Sequence, residues 1–236
     1  MALVVRTPWS RLPEALAAPG VLTALRLSLV CSVGAVVLSA LLGTPLAWLL
    51  ARVSFPGRNV VRALTVMPMV LPPVVGGVAL LLAFGRQGMV GQWLQQGLGV
   101  SLPFTTLGAI VAEAFVAMPF FVITVEAGLR SMGRRYEDAA ATLGAGRWTT
   151  FRRVTLPLMM PSLGAGAALA WARALGEFGA TITFAGNLPG ATQTMPLAVY
   201  LALQTNTDAA IALSLVMLVI SLVVLVALRA RWFPVR

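Results

Sequence analysis

The sequence contains no histidine and no lysine, and its 236 residues include a single cysteine, Cys31. A lone cysteine excludes a disulfide within one chain, and the absence of histidine excludes a metal site built from His and Cys ligands. The phosphate loop G-x-x-x-x-G-K-[ST] is also missing, so the chain cannot bind and hydrolyse ATP in that way. We expect no metal, no cofactor and no covalent chemistry, since no Ser-His, paired Asp or metal constellation supports an intramembrane enzyme.

Charge is also scarce. Only 10% of the residues are charged, 59% are hydrophobic, and the mean hydropathy is +0.91. Soluble domains are typically about 45–50% apolar, so the composition indicates an integral membrane protein. A helix needs roughly 20 residues to cross a hydrocarbon core of about 30 Å. The runs that are long enough are 21–50, 61–84, 105–128, 160–184 and 207–230.

These runs are continuous and rich in Leu, Val and Ala, whereas the strands of a barrel would alternate with a period of two. We therefore predict an all-α bundle of about five transmembrane helices that forms a single domain over 1–236. The N-terminus does not resemble a cleavable signal peptide, because its first twenty residues include Glu14 and several prolines. We expect the run at 21–50 to remain as the first span.

The seventeen basic residues are all arginine and give a net charge of +10. Such a charge could indicate nucleic acid, but its distribution indicates membrane topology instead, because alternate connections are basic, as the positive-inside rule requires. This places the C-terminus in the cytoplasm and the N-terminus outside. Arg6 and Arg11 run against the rule, and a sixth, short N-terminal membrane element is the alternative. The arginines of the basic connections and tail are Arg52, Arg58, Arg62, Arg130, Arg134, Arg135, Arg147, Arg152, Arg153, Arg229, Arg231 and Arg236.

One polar connection, 131–157, has the signals of a two-helix elbow. Glu137 and Asp138 fit the first turn of a helix, where the helix dipole favours anions. Gly144 fits a left-handed C-terminal cap, a second helix is predicted over 147–155, and Pro157 limits its continuation. A solvated positive-inside loop is the simpler alternative. We call residues 131–157 the elbow.

The elbow resembles a known motif. Its spacing reproduces the E-A-A-x3-G-x9-I-x-L-P loop of ABC-transporter permeases, with Asp for Glu at 138 and Val for Ile at 154. The resemblance implies a type I importer permease that works as a homodimer with two separate ATPase subunits and an external substrate-binding protein. It also implies that the elbow is the coupling helix, which docks on an ATPase subunit. The residues that would couple are Glu137, Asp138, Ala139, Ala140, Gly144, Val154, Leu156 and Pro157.

A second resemblance concerns the cargo. The stretch "RALGEFGATITFAGNLPGATQTMPLAVY", residues 173–200, is very similar to the molybdate permeases and somewhat less similar to the sulfate and thiosulfate permeases; the stretches 28–52 and 67–85 also resemble that group. The resemblance implies import of molybdate across a bacterial inner membrane. Sulfate, thiosulfate or tungstate is the first alternative, and a stand-alone secondary carrier or channel without an ATPase is the second.

Charges within the fourth run suggest a pathway. Arg173 and Glu177 have the i, i+4 spacing of a helical ion pair, and charges inside a span mark a pathway by default. A structural pair, or a side chain that reaches the interface, is the alternative. The candidate gate comprises Arg173, Glu177, Phe178, Gly179, Thr181, Thr183 and Asn187. Thr192, Gln193 and Thr194 are also suitable in type for an oxyanion, or are ordinary loop residues.

Other positions also have two interpretations. Glu113 lies in the middle of the third run and serves either a buried structural contact or a gate. Glu126 and Arg130 lie near the end of the same run and are predicted to be interfacial. Pro68, Pro72 and Pro73 should kink or locally unwind the second run.

Overall fold

The computed structural model describes residue 9, residues 12–18 and residues 20–232, without the side chains at 12, 15, 16 and 227–232. Helices with short connections make up this part of the chain, and none of it is strand. Four helices are long and apolar enough to cross a membrane, and a sharply bent helix pair brings the number to five if it counts as one span. The prediction of an all-α integral membrane protein is confirmed.

The helices are numbered here in chain order. They are α1 (Leu12–Ala17), α2 (Val21–Arg52), α3 (Arg58–Val70), α4 (Pro73–Phe84), α5 (Met89–Leu98), α6 (Thr106–Met132), α7 (Arg135–Thr142), α8 (Arg147–Leu175), α9 (Gly179–Phe184), α10 (Met195–Thr205) and α11 (Thr207–Trp232).

The core lies where α2, α6 and α8 pack together. Phe121 of α6 is buried at its centre among small side chains such as Ala35, Ala47 and Ala174. A Cβ atom on Gly43 would lie 2.9 Å from the Phe121 ring. Small residues therefore let these helices approach closely, as is usual where lipid supplies no hydrophobic driving force between helices.

The second apolar run forms two helices, because Leu71 and Pro72 break it and the axes of α3 and α4 differ by 119°. Pro73 starts α4, where the missing N–H of proline costs nothing. The prolines of this run were predicted to kink or locally unwind it, and the break lies at that place. Helix α4 then packs against α9.

The fourth run differs from the prediction at both ends. The second elbow helix does not stop before Pro157, since α8 continues from Arg147 to Leu175. A π turn at Phe151–Thr155 ends two residues before the proline, and such local adjustments let a transmembrane helix accommodate proline. At the other end α8 stops before Gly176, so the predicted span 160–184 comprises most of α8, a break and the short α9.

The bundle has two ends. Arg52 closes α2, and it contacts the elbow; this side is called the elbow end. At the opposite end, the backbone N–H of Met195 donates to Ser28 Oγ at 2.7 Å, and Thr106 Oγ1 donates to the Ala191 carbonyl at 2.8 Å. The connection before α10 is therefore fastened to α2 and α6 on the side away from the elbow. Arg236 lies outside the described residues, as do the side chains of Arg229 and Arg231.

Candidate functional site

The elbow turns at Gly144. The N–H of Gly144 donates to the Ala141 carbonyl and that of Ala145 to the Ala140 carbonyl, each at 3.0 Å. Gly144 has φ = 81°, a left-handed conformation that glycine adopts without the strain of a Cβ atom. The elbow is therefore a short helix, α7, a glycine turn, and the beginning of the long helix α8.

The elbow has an exposed surface around Gly144. Leu143 is 88% exposed and Trp148 is 70% exposed, and Asp138, Ala139 and Gly144 are exposed beside them. The Trp148 ring stacks on Phe151 with 5.8 Å between ring centroids, which holds the indole in place. This face combines a small-residue turn with two large apolar side chains, which suits contact with another protein.

The Glu137 side chain is less exposed than those of Leu143 and Trp148, at 20%. Its Oε1 accepts a hydrogen bond from Thr155 Oγ1 at 3.0 Å and lies 3.2 Å from Arg52 Nη2. Arg52 Nη2 also donates to the Gly133 carbonyl at 2.8 Å, and Arg134 donates to the Arg52 carbonyl. We call Arg52, Gly133, Arg134, Glu137 and Thr155 the Arg52 cluster. It joins the end of α2 to both arms of the elbow.

The remaining predicted elbow residues have mixed environments. Ala140, Val154 and Leu156 are partly buried, and Pro157 is exposed. A cavity of about 650 Å³ separates the elbow from the last turns of α2, and Asp138 and Trp148 of the exposed surface line it together with Trp48. Sequence reasoning treated Glu137 and Asp138 alike and did not find Arg52 or Thr155, because these partners lie 85 and 18 residues from Glu137.

The predicted pair Arg173 and Glu177 forms, with Arg173 Nη2 at 2.6 Å from Glu177 Oε2. Glu177 is no longer helical, however, and its side chain is only 1% exposed, whereas that of Arg173 is 28% exposed. Glu177 Oε1 accepts from the N–H of Ala180 at 2.8 Å, in the first turn of α9. One carboxylate thus pairs with α8 and caps α9, so it fixes the break between the two helices.

The other predicted gate residues do not share one surface. Phe178 packs against Tyr200, with 5.0 Å between ring centroids. Gly179 lies against α4, where a Cβ atom would come within 2.9 Å of Pro73 Cβ, and Thr183 Oγ1 donates to the Gly179 carbonyl. Thr181 is fully buried. Neither its Oγ1 nor Asn187 Oδ1 has a hydrogen-bond partner within the described ranges.

Glu113 lies near this break. Its side chain is buried, and its neighbour Ala112 belongs to the same apolar cluster as Ala180 and Phe184 of α9. Its Oε2 has no hydrogen-bond partner in the part of the chain that the structure describes. A buried acidic side chain of α6 therefore lies where α6 packs against α9.

Glu126 is buried near the elbow end of α6. Its Oε1 lies 2.5 Å from Arg62 Nη2 and 2.8 Å from Arg130 Nη2. The first contact joins α6 to α3 near the elbow end.

At the opposite end, Thr192 Oγ1 accepts from the N–H of Leu188 at 2.9 Å, so this threonine supports the loop before α10. Thr194 is also buried, and Gln193 is partly buried.

Comparison with known proteins gives the family. Residues 43–234 match the model of the binding-protein-dependent transport system inner membrane component. The chain is 46% identical to the molybdenum transport system permease protein ModB of Mycobacterium tuberculosis, over 98% of this chain and 87% of the relative. It is 42% identical to the ModB of Escherichia coli (89% and 91% covered) and 39% identical to the sulfate permease CysT of the same species (92% and 78% covered).

The fold has known counterparts. A bacterial ABC transporter that imports the acidic polysaccharide alginate superposes with a TM-score of 0.78 at 17% identity, covering 99% of this chain and 87% of that one. A second structure of an alginate transporter, in complex with its periplasmic protein, gives a TM-score of 0.74 at 18% identity, covering 97% and 88%. The relatives are named as permeases, which are transport components rather than enzymes. The chain belongs to the family of inner membrane components of binding-protein-dependent transport systems.

Proposed function

We propose that the chain is the permease subunit of an ATP-driven importer that carries molybdate across a bacterial inner membrane. The observation that carries this proposal is the 46% identity with a molybdenum permease over 98% of the chain. To assign a substrate, a chain must resemble its relatives in the segments proposed to form the pathway, and not only in its fold. The stretch 173–200, which resembles the molybdate permeases, contains the break between α8 and α9.

The exposed face of the elbow is the proposed dock for an ATPase subunit. Leu143 and Trp148 project from it, and the Gly144 turn lets a partner backbone approach. Asp138, Ala139 and Ala140 belong to the same surface or border it. We propose that two copies of this chain and two ATPase subunits assemble in this way, with an external binding protein at the opposite end.

The distribution of arginine supports an orientation. The elbow end carries Arg52, Arg62, Arg130 and Arg134, whereas the connection 85–104 carries only Arg86. By the positive-inside rule the elbow end faces the cytoplasm, and so does the C-terminus. In this proposal α2, α6, α8, α11 and the bent pair α3–α4 are the membrane elements.

The break between α8 and α9 is the proposed gate region. The Arg173–Glu177 pair holds the break closed, and Glu113 stands beside it on α6. A dianion passing here would meet one arginine whose charge is already compensated, which avoids a deep electrostatic well. Thr181, Thr183 and Asn187 would supply hydroxyl and amide groups after a rearrangement of α9.

A sulfate importer is the second candidate, because the chain is 39% identical to a sulfate permease over 92% of its length. Molybdate, tungstate and sulfate are all tetrahedral dianions. The binding protein, and not the permease, is expected to choose among them.

The test uses the permease, its ATPase subunit and its binding protein reconstituted in liposomes. We expect ATP-dependent molybdate uptake, with tungstate competing and a large excess of sulfate needed to compete. Uptake that responds to sulfate and ignores molybdate would favour the second candidate. Uptake by the permease without ATPase subunits would indicate a stand-alone carrier.

A further inference from the structure

Helix α2 contacts the elbow near one end and the connection before α10 near the other. Arg52 in its last turn binds the elbow, and Ser28 in its first third binds the connection before α10. A helix rises about 1.5 Å per residue, so these two side chains lie roughly 36 Å apart along α2. Between them α2 is a continuous helix that packs on α6 and α8.

At the elbow end, three helices meet at one oxygen atom. Glu137 Oε1 on α7 contacts Arg52 Nη2 on α2 and Thr155 Oγ1 in the π turn of α8. The side chains of Arg52 and Glu137 are 6% and 20% exposed. Reduced contact with water strengthens such a pair and makes the loss of one partner costly.

At the opposite end, a buried hydrogen bond joins α2 to α10. The N–H of Met195, the first residue of α10, donates to Ser28 Oγ, and both residues are buried. Ala24 of α2 also packs in one apolar cluster with Met195, so the start of α10 is held against α2 by packing and by a hydrogen bond whose loss would leave a buried N–H without its acceptor. Ser32 offers a contrast one turn later, because its Oγ donates only to Leu29 of its own helix.

From these contacts we propose that α2 is the rod that connects the ATPase dock with the opposite mouth of the permease. The Arg52–Glu137–Thr155 contact makes α2 move with the elbow, and Ser28 passes the movement to the connection before α10. Glu137 is then a positioning residue that faces inward, unlike the docking residues around Gly144. This inference rests on the proposed function, in which the elbow binds an ATPase subunit.

The experiment uses the complete transporter in lipid nanodiscs with its molybdate-loaded binding protein. Two quantities are measured for each variant: binding of the ATPase subunit, and the ratio of ATP hydrolysis with and without binding protein. The link variants are Glu137→Gln, Arg52→Gln and Ser28→Ala. The matched controls are Thr155→Val, which removes a hydrogen bond within the elbow but leaves the contacts of Arg52 in place, and Ser32→Ala, which removes an equally buried hydroxyl that links nothing.

We expect the link variants to bind the ATPase subunit like the parent. The ratio of ATP hydrolysis with and without binding protein should fall by about fivefold or more, which is the lower range of typical coupling between sites. The controls should keep the parental ratio. Parental stimulation in Arg52→Gln and Ser28→Ala would overturn the rod. Loss of ATPase binding in Glu137→Gln would also overturn it, since Glu137 would then be a docking residue.

A purely structural role would lower the yield or melting temperature without changing the stimulation ratio. Arg52→Gln leaves Glu137 and its hydrogen bond with Thr155 in place, so it reports on the link even where Glu137→Gln fails to assemble. The proposed function fails by a different result, normal ATPase binding after disruption of the Gly144 turn. The two failures are therefore distinguishable.

Discussion

Gly77 of α4 lies directly against the hydroxyl of Thr183 on α9. A Cβ atom at Gly77 would lie 1.7 Å from Thr183 Oγ1 and 2.8 Å from the Ala180 carbonyl oxygen. The two short helices that follow the breaks in the second and fourth apolar runs therefore cross at a contact that admits no side chain.

Gly77→Ala should destabilise the permease by about 1–3 kcal/mol, because overpacking forces the two helices apart. Thermal unfolding in detergent measures the loss. Gly97→Ala on α5 is the matched control, since a Cβ atom there meets nothing within 4 Å. Equal melting temperatures for the two variants would show that the crossing is loose.

Gly144→Arg should abolish co-purification with the ATPase subunit while leaving membrane insertion intact. The left-handed turn strains any side chain, and a long charged one also blocks the docking face. Gly99→Arg is the control, because Gly99 has φ = 66°, has nothing within 4 Å of its Cβ position and closes α5 rather than the elbow. Undiminished complex and uptake in Gly144→Arg would contradict the coupling role.

Arg173→Ala should cost roughly 3 kcal/mol, since it leaves the Glu177 carboxylate buried without its partner. Glu177→Ala should cost at least as much, because it also removes the acceptor of the Ala180 N–H. An apolar double replacement should assemble better than either single variant. The amount of assembled transporter in the membrane measures all three.

The rate of ATP hydrolysis, measured with and without binding protein, then shows whether the Arg173–Glu177 pair acts as a gate or only as a structural contact. A double variant that assembles but no longer couples binding-protein delivery to ATP hydrolysis indicates a gate. Preserved coupling indicates packing alone. Single variants that assemble and transport like the parent would remove this segment from the proposed pathway.

Accessibility to a membrane-impermeant thiol reagent tests the orientation. Leu188→Cys, exposed in the connection before α10, should be labelled on intact cells, and Thr142→Cys in the elbow should be labelled only after the cytoplasm is opened. The native Cys31 is buried, so it should contribute little background. Labelling of Leu188→Cys only after opening would reverse the assignment.

The sequence predicted the features that depend on local chemistry. Long apolar runs predicted helices, prolines predicted a break near residue 72, and glycine predicted the left-handed turn at 144. The 119° angle between α3 and α4 was not predictable, because it depends on how α4 packs against α9.

Contacts between distant residues were also beyond sequence reasoning. Glu137 and Asp138 are adjacent and chemically alike, yet only Glu137 meets Arg52, because a helix directs successive side chains about 100° apart. Glu126 was predicted only from its place near a helix end, and its ion pair with Arg62, 64 residues away, had no signal in the sequence. Pro157 suggested a helix end because proline usually interrupts a helix. The π turn that precedes it in α8 has no local sequence signal.

That π turn has a consequence for how the elbow is aimed. Phe151–Thr155 holds one more residue than an α-helical turn would. Each residue in an α-helix contributes about 100° of rotation and 1.5 Å of rise. Deleting one residue between 151 and 155 would therefore keep α8 helical but swing the docking face about a quarter of a turn around its axis. The number of residues in the π turn therefore sets the direction of the proposed ATPase dock, and a deletion there should uncouple the transporter without altering any residue of that dock.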